Sequence, residues 1–192
     1  MRRTLSYAFG FVTAGMLTLA AEPADAQTMA PGPYYATPSW DQTLPPSTRF
    51  IVLSNFNAEA VLDRETGLVW ERSPVSILGT DWFTAVSSCE RLIVANRLGW
   101  RLPSVQELTS LVDPTQGNPA LPPGNPFGNI VGLFVSVYWT AATVETDPNS
   151  GKVVDFSTGS IAQMGKIPIP VPRSGARFWC VRGGSSVSNP PY

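Results

Sequence analysis

Ala176-Arg177-Phe178-Trp179-Cys180-Val181-Arg182, followed by Gly183-Gly184, is the stretch on which the fold turns. Alternating bulk, two aromatics and a β-branched residue between glycines predict a strand. Its cysteine is one of two in the chain. The other, Cys89, falls in a segment with helical periodicity: Trp82, Ala85, Val86, Cys89, Leu92 and Ile93 share one face, and Ser87, Ser88, Glu90, Arg91 and Arg97 the other. Thr80 or Asp81 is suited to cap this helix and Gly99 to stop it. Cys89 then lies on the apolar face, where the last strand is expected to run, and the two elements are read as a clasp closing the domain.

The N-terminus sets the compartment. Arg2 and Arg3, an apolar run from Tyr7 to Ala21 and the small-x-small site Ala24-Asp25-Ala26 have the layout of a secretory signal, with cleavage expected after Ala26. The apolar run is shorter than the ~20 residues that a bilayer-spanning helix needs. The expected location is periplasmic or extracellular, with no transmembrane segment left after cleavage, and there two cysteines are far more often bridged than free. A bridge between Cys89 and Cys180 closes a loop of about ninety residues and stabilises the fold by ~4–5 kcal/mol on the chain-entropy account.

Composition narrows the chemistry. Histidine is absent, which removes the commonest general base, metal ligand and pH switch. Net charge is −1, and a signal carrying two basic and two acidic residues leaves it there, so no nucleic-acid footprint is present. Residues 27–48 are rich in Pro, Thr, Ser and Gly, interrupted by Tyr34, Tyr35 and Trp40, and read as a linker whose aromatics could dock on the domain or on a partner. Residues 49–184 form one domain, and 185–192 a short tail.

Inside the domain, Ala60-Val61-Leu62 and Leu68-Val69-Trp70 flank Asp63-Arg64-Glu65-Thr66-Gly67 as a hairpin, with a possible extra strand at Phe50-Ile51-Val52-Leu53. Ser104 and Glu107 form a capping box for a second helix carrying Leu108, Leu111 and Val112. Trp100 is expected in the core and Arg101 beside Glu107 or backbone carbonyls. From Asp113 to Asn129 runs a long Pro-, Asn- and Gly-rich loop, the leading site region on length alone. Further strands are expected at 135–141, 152–156 and 160–164, with turns at Asp147-Pro148-Asn149-Ser150-Gly151 and Thr158-Gly159.

The ordered motifs Ala60-Val61-Leu62-Asp63, Thr66-Gly67-Leu68-Val69-Trp70, Trp82 to Cys89-Glu90, Trp100-Arg101-Leu102-Pro103-Ser104 with Glu107-Leu108, Tyr138-Trp139-Thr140 and Cys180-Val181-Arg182-Gly183-Gly184 resemble a bacterial domain family. It was first classed as of unknown function and is named after the C-terminal domain of a Legionella collagen-like adhesin. The resemblance covers residues 60–184 and implies an α+β, C-type-lectin-like fold: two short helices packed on small antiparallel sheets, a long irregular loop and one disulfide from the first helix to the last strand.

The expected function is non-catalytic binding of a polysaccharide, sulfated or otherwise anionic, or of a surface protein; the alternative is a passive structural module of an envelope assembly. From Ser104 to Asp147 the chain has no Lys or Arg, whereas Lys152, Lys166, Arg173, Arg177 and Arg182 follow, so a cationic face is expected there, with exposed Tyr138 or Trp139 stacking on sugar. Asp113, Asn125, Glu145 and Asp147 offer calcium-type oxygens, joined more loosely by Asn118, Asn129 and Asn149. Their positions beside Pro and Gly are also what ordinary turns require, and the triplets that mark sugar-bound calcium in lectins are missing, so no metal or cofactor is expected. Formylglycine-generating oxidases are related in fold but use a pair of reactive cysteines, which the clasp occupies; catalysis is not expected.

Overall fold

The computed structural model describes residues 44–74, 79–130, 136–167 and 176–184. The expected signal, most of the linker with Tyr34, Tyr35 and Trp40, the cation Arg173 and the tail 185–192 lie outside them.

Five strands form the central sheet in the order β1-β2-β3-β8-β4: β1 Phe50–Val52, β2 Ala60–Asp63, β3 Leu68–Glu71, β4 Trp100–Arg101 and β8 Val181–Arg182. All neighbours are antiparallel. A second sheet has the order β5-β6-β7, with β5 Val137–Val144, β6 Asp147–Asp155 and β7 Ser160–Gly165. The expected hairpin is β2–β3, and Gly67 supplies its left-handed residue at φ 69°. A four-residue helix, α1 (Pro46–Arg49), leads into β1.

The side-chain period of two sends each strand's residues to two apolar clusters, one on either face of the central sheet. Phe50, Val61, Leu68, Trp70 and Val181 join Leu108 and Leu111 on one side. Ala60, Leu62, Val69 and Trp100 join Ala85 and Cys89 on the other. The first side is covered by α3 (Val105–Thr109), the second by α2 (Trp82–Arg91). In the second sheet, Tyr138 and Val154 belong to the first cluster and Trp139 and Val153 to the other.

The capping box of α3 forms as expected: Glu107 N donates to Ser104 Oγ at 3.1 Å and Ser104 N to Glu107 Oε2 at 2.8 Å. Arg101 reaches the same carboxylate through two bonds, at 2.8 and 2.6 Å, and Gly183 O at 2.8 Å, so one guanidinium joins β4, α3 and the glycine that follows β8.

Three expectations about element limits change. Helix α2 is capped by Asp81 but ends at Arg91 rather than near Gly99, because Val94 and Arg97 hydrogen-bond to each other across Ala95 and Asn96, both at positive φ. That tight turn leaves Ile93 60% exposed instead of buried. The turn expected at 147–151 lies within β6. Glu145 and Thr146 make the hairpin, while Asp147 accepts bonds from Asn149 N and Ser150 Oγ inside a bulge between the Val144–Asp147 and Thr143–Gly151 pairs. The strand expected from position 135 begins at Val137, residue 135 being outside the described set.

The closing stretch differs most. Only Val181–Arg182 is ladder strand. Ala176 bridges to Thr80 and Arg177 to Tyr138 of the second sheet, after which the chain crosses to lie between β3 and β4. A segment passing from one sheet to another has no single partner along its length, yet its alternation survives: Trp179 and Val181 enter one cluster, Ala176, Phe178 and Cys180 the other. Cys180 is bonded to Cys89, with Cα atoms 5.4 Å apart, so α2 is tied to the crossing segment.

Candidate functional site

A cleft of about 520 Å3 opens where the end of β3, the turn after α2 and the second half of the long loop meet. Glu59, Glu71, Arg72, Ile93, Asn125 and Phe127 are among its lining residues. Arg72 stitches its walls together. Its Nη1 donates to Ala58 O at 3.1 Å, its Nε to Pro126 O at 3.3 Å, and its carbonyl accepts from Gly128 N at 2.9 Å. Gly128 lies close to Ser73: a Cβ there would stand 2.6 Å from Ser73 Oγ, so the hydroxyl would have to rotate away.

The loop is shaped from within as well. Asn125 Nδ2 donates to Pro122 O, and Asn125 Oδ1 accepts from Phe127 N. Phe127 packs edge-on against Trp179 at 4.8 Å and Phe50 at 5.2 Å, anchoring the loop to the first cluster. The result is a groove with apolar surface from Ile93 and Phe127 beside carboxylate, guanidinium and hydroxyl groups. Such a lining suits a ligand with both C–H faces and hydroxyls.

Residues 59–182 match the family described as the Lcl C-terminal domain. The chain belongs to this family. No curated protein matches the sequence. The cleft is built almost wholly from the Lcl C-terminal domain itself, Ala58 lying at its edge.

This Lcl C-terminal domain does not present Tyr138 and Trp139 as a sugar-stacking surface. They are 1% and 0% exposed, because both faces of the second sheet pack against apolar clusters and leave neither side of β5 open at these positions. Burial pushes the Tyr138 phenol up to about 12, against an opposing pull from Arg177. Trp139 Nε1 donates to Thr80 O.

The described cations are likewise not gathered on one face. Lys152 pairs with Gln163 and Gly151 with Met164, so Lys166, whose N–H donates to Asn149 O, lies on the face opposite Lys152. Lys166 is buried: its Nζ sits 4.4 Å from the Trp82 ring centre and donates to Thr143 Oγ1 at 2.9 Å. Arg177 lies half-buried against Tyr138, and Arg182 Nε donates to Leu98 O. Arg173 is outside the described residues.

Three of the four calcium candidates serve their own turns. Asp113 Oδ1 accepts from Thr115 N and Oγ1, Asn125 shapes the loop, and Asp147 caps the bulge. The Ser150 hydroxyl and Asn149 N–H, aided by Lys166, hold the Asp147 carboxyl below its ordinary value against a small opposing effect of burial. Glu145 is exposed on the hairpin. Among the described residues no three His, Cys, Asp or Glu side chains cluster as metal ligands. The cysteines that an oxidase of the formylglycine-generating type needs free are joined in the bridge.

Arg72 and Glu59 are site residues that sequence reasoning missed. Arg72 follows directly on the Leu68–Trp70 strand, but its partners, the carbonyls of Ala58 and Pro126, are distant in sequence and carry no residue signature. The long loop, by contrast, was singled out on length, and four of its residues line the cleft.

Proposed function

We propose that the chain is a secreted, non-catalytic binding module of C-type-lectin-like fold that takes a polysaccharide in the cleft beside Arg72. The observation that carries this reading is the lining itself: apolar Ile93 and Phe127 next to Glu59, Arg72, Ser73 and Asn125. Pyranose rings offer both a C–H surface and hydroxyls, and a few placed polar groups on an apolar wall meet both. Two carboxylates against one guanidinium favour a neutral, hydroxyl-rich glycan over a sulfated one, since like charges repel in a partly desolvated groove. The signal-like N-terminus supports secretion, and the bridge from a helix to the closing segment supports the lectin-like fold. Among the described residues no helix is long and apolar enough to cross a membrane.

The test is retention of the chain beginning at Gln27 on columns of neutral and of sulfated polysaccharide, at low and high salt, with and without chelator. Retention on neutral glycan that survives salt and chelator, and is lost in Glu59→Ala with Ile93→Asp, is expected, as is elution of glycan of unchanged length. Retention on sulfated glycan alone, abolished by salt, would replace the cleft with a cationic surface. Absence of retention on every glycan would favour a surface-protein ligand or a passive structural module.

A further inference from the structure

A second pocket, of about 310 Å3, is lined by Leu44, Pro45, Pro46, Arg49, Asp113, Pro122 and Pro123. Four prolines and a leucine supply most of its wall. Its one cation has no spare charge to offer: Arg49 is held by Asp63, Glu65 and Ser110 O. The pocket therefore combines proline rings, a surface on which aromatic side chains pack, with polar groups that include Asp113.

The preceding chain starts at the rim of this pocket. Leu44 N donates to Glu65 Oε1 at 2.6 Å, so the buried ionic cluster that holds Arg49 also fixes the point at which residues 27–43 leave the domain. That segment is rich in Pro, Ser and Thr, has one charged residue, Asp41, and carries three aromatics. The nearest, Trp40, is four residues from Leu44, a separation that extended chain spans in at most ~14 Å. So short a tether gives a high effective concentration.

We infer that Trp40 of the chain's own N-terminal segment docks into the proline-lined pocket, packing its indole against Pro45, Pro122 and Pro123. The contact converts the Pro-rich segment from a free spacer into an arm with a set direction at the domain surface.

The chain contains six tryptophans, and Trp40 is the one outside the described residues. The difference in emission between the chain beginning at Gln27 and its Trp40→Phe variant reports that residue. Docking predicts a blue-shifted Trp40 contribution shielded from acrylamide. Pro123→Ser and Leu44→Ser shift it to the red and open it to quenching, with the thermal midpoint of the domain unchanged. A red, fully quenched Trp40 contribution in the unaltered chain overturns the inference. So does shielding that ignores both substitutions, which would put the arm elsewhere, and shielding lost on dilution, which would make the occupant the arm of a second copy.

Discussion

The Arg49 guanidinium meets the Asp63 carboxylate in two parallel hydrogen bonds, Nε to Oδ1 at 2.9 Å and Nη2 to Oδ2 at 2.8 Å. Both side chains are buried, at 1% and 0% exposure, and Asp63 stands opposite Phe50 in the β1–β2 ladder. Nη2 also reaches Ser110 O, just beyond α3, and Nη1 lies 3.1 Å from Glu65 Oε2. One cation, at the end of α1, thus ties the entry to β1 to the hairpin and to the end of the helix that covers one face of the sheet.

Asp63→Asn leaves a buried guanidinium short of one counter-charge. Loss of a partner from a buried pair costs about 3–5 kcal/mol. The remaining Glu65 places the expected loss near the lower end. Urea unfolding should show it, and Arg49→Met combined with Asp63→Asn should cost less than the two single changes added. Strict additivity would mean that the pair is not coupled.

Tyr138 lends itself to the opposite experiment. Its hydroxyl is buried with no hydrogen-bond partner among the described residues, while its ring packs against Phe156 at 5.5 Å and Trp179 at 6.0 Å. Tyr138→Phe keeps the ring and removes the unsatisfied group, so stability should rise by about 1–3 kcal/mol. The phenol pKa is raised from 10.0 to about 12, so the folded state holds the proton longer. Its ionisation therefore leaves stability unchanged below pH 10 and lowers it as pH rises from there through 12. The variant should lack that alkaline loss; an unchanged curve would show that Tyr138 is not its source.

Cys89 and Cys180 are 91 positions apart in sequence. Reduction should lower stability by about 4–5 kcal/mol on the entropic account, a large part of a domain's total. Native protein should have a mass two daltons below its reduced form. Two titratable thiols in native material would refute the bridge.

Asp81 caps α2 through bonds from Thr84 N at 2.8 Å and Thr84 Oγ1 at 2.6 Å. Burial pushes its carboxyl up, but these bonds and further backbone N–H groups outweigh it and hold the pKa below 3.8. Its stabilising effect is complete above pH 3.8 and disappears as pH falls through the lowered value. Asp81→Ala should cost about 1 kcal/mol at neutral pH. Asp81→Asn should retain most of the cap and flatten the acid limb of a thermal-midpoint profile.

Local rules made several elements legible. The hairpin around Gly67 needed a left-handed residue, the Ser104–Glu107 box carries both of its partners within four positions, and helical spacing put Cys89 on the buried face. The long loop, residues 113–129, was singled out on length, whereas which of its residues line the cleft depends on Arg72 reaching two remote carbonyls. Less visible was the fate of Tyr138 and Trp139. An aromatic pair in a strand is read as half-exposed unless both faces of the sheet are known to be covered, and coverage comes from α3, Trp179 and the hairpin, far away in the chain.

The closing stretch divides along the same line. Its alternation was a property of the sequence alone: Trp179 and Val181 against Phe178 and Cys180, because successive side chains of an extended segment point in opposite directions whatever lies beside them. The pairing of the two cysteines was also determined there, since an apolar helix face carrying the one other cysteine left a single possible bridge. Tertiary structure decided that the stretch joins two sheets, that both its faces are buried, and that Arg177 and Arg182 end up against Tyr138 and Leu98 rather than on a common surface. Partners for an extended backbone are set by hydrogen bonds to strands distant in the chain, and those long-range contacts leave no period in the sequence to read.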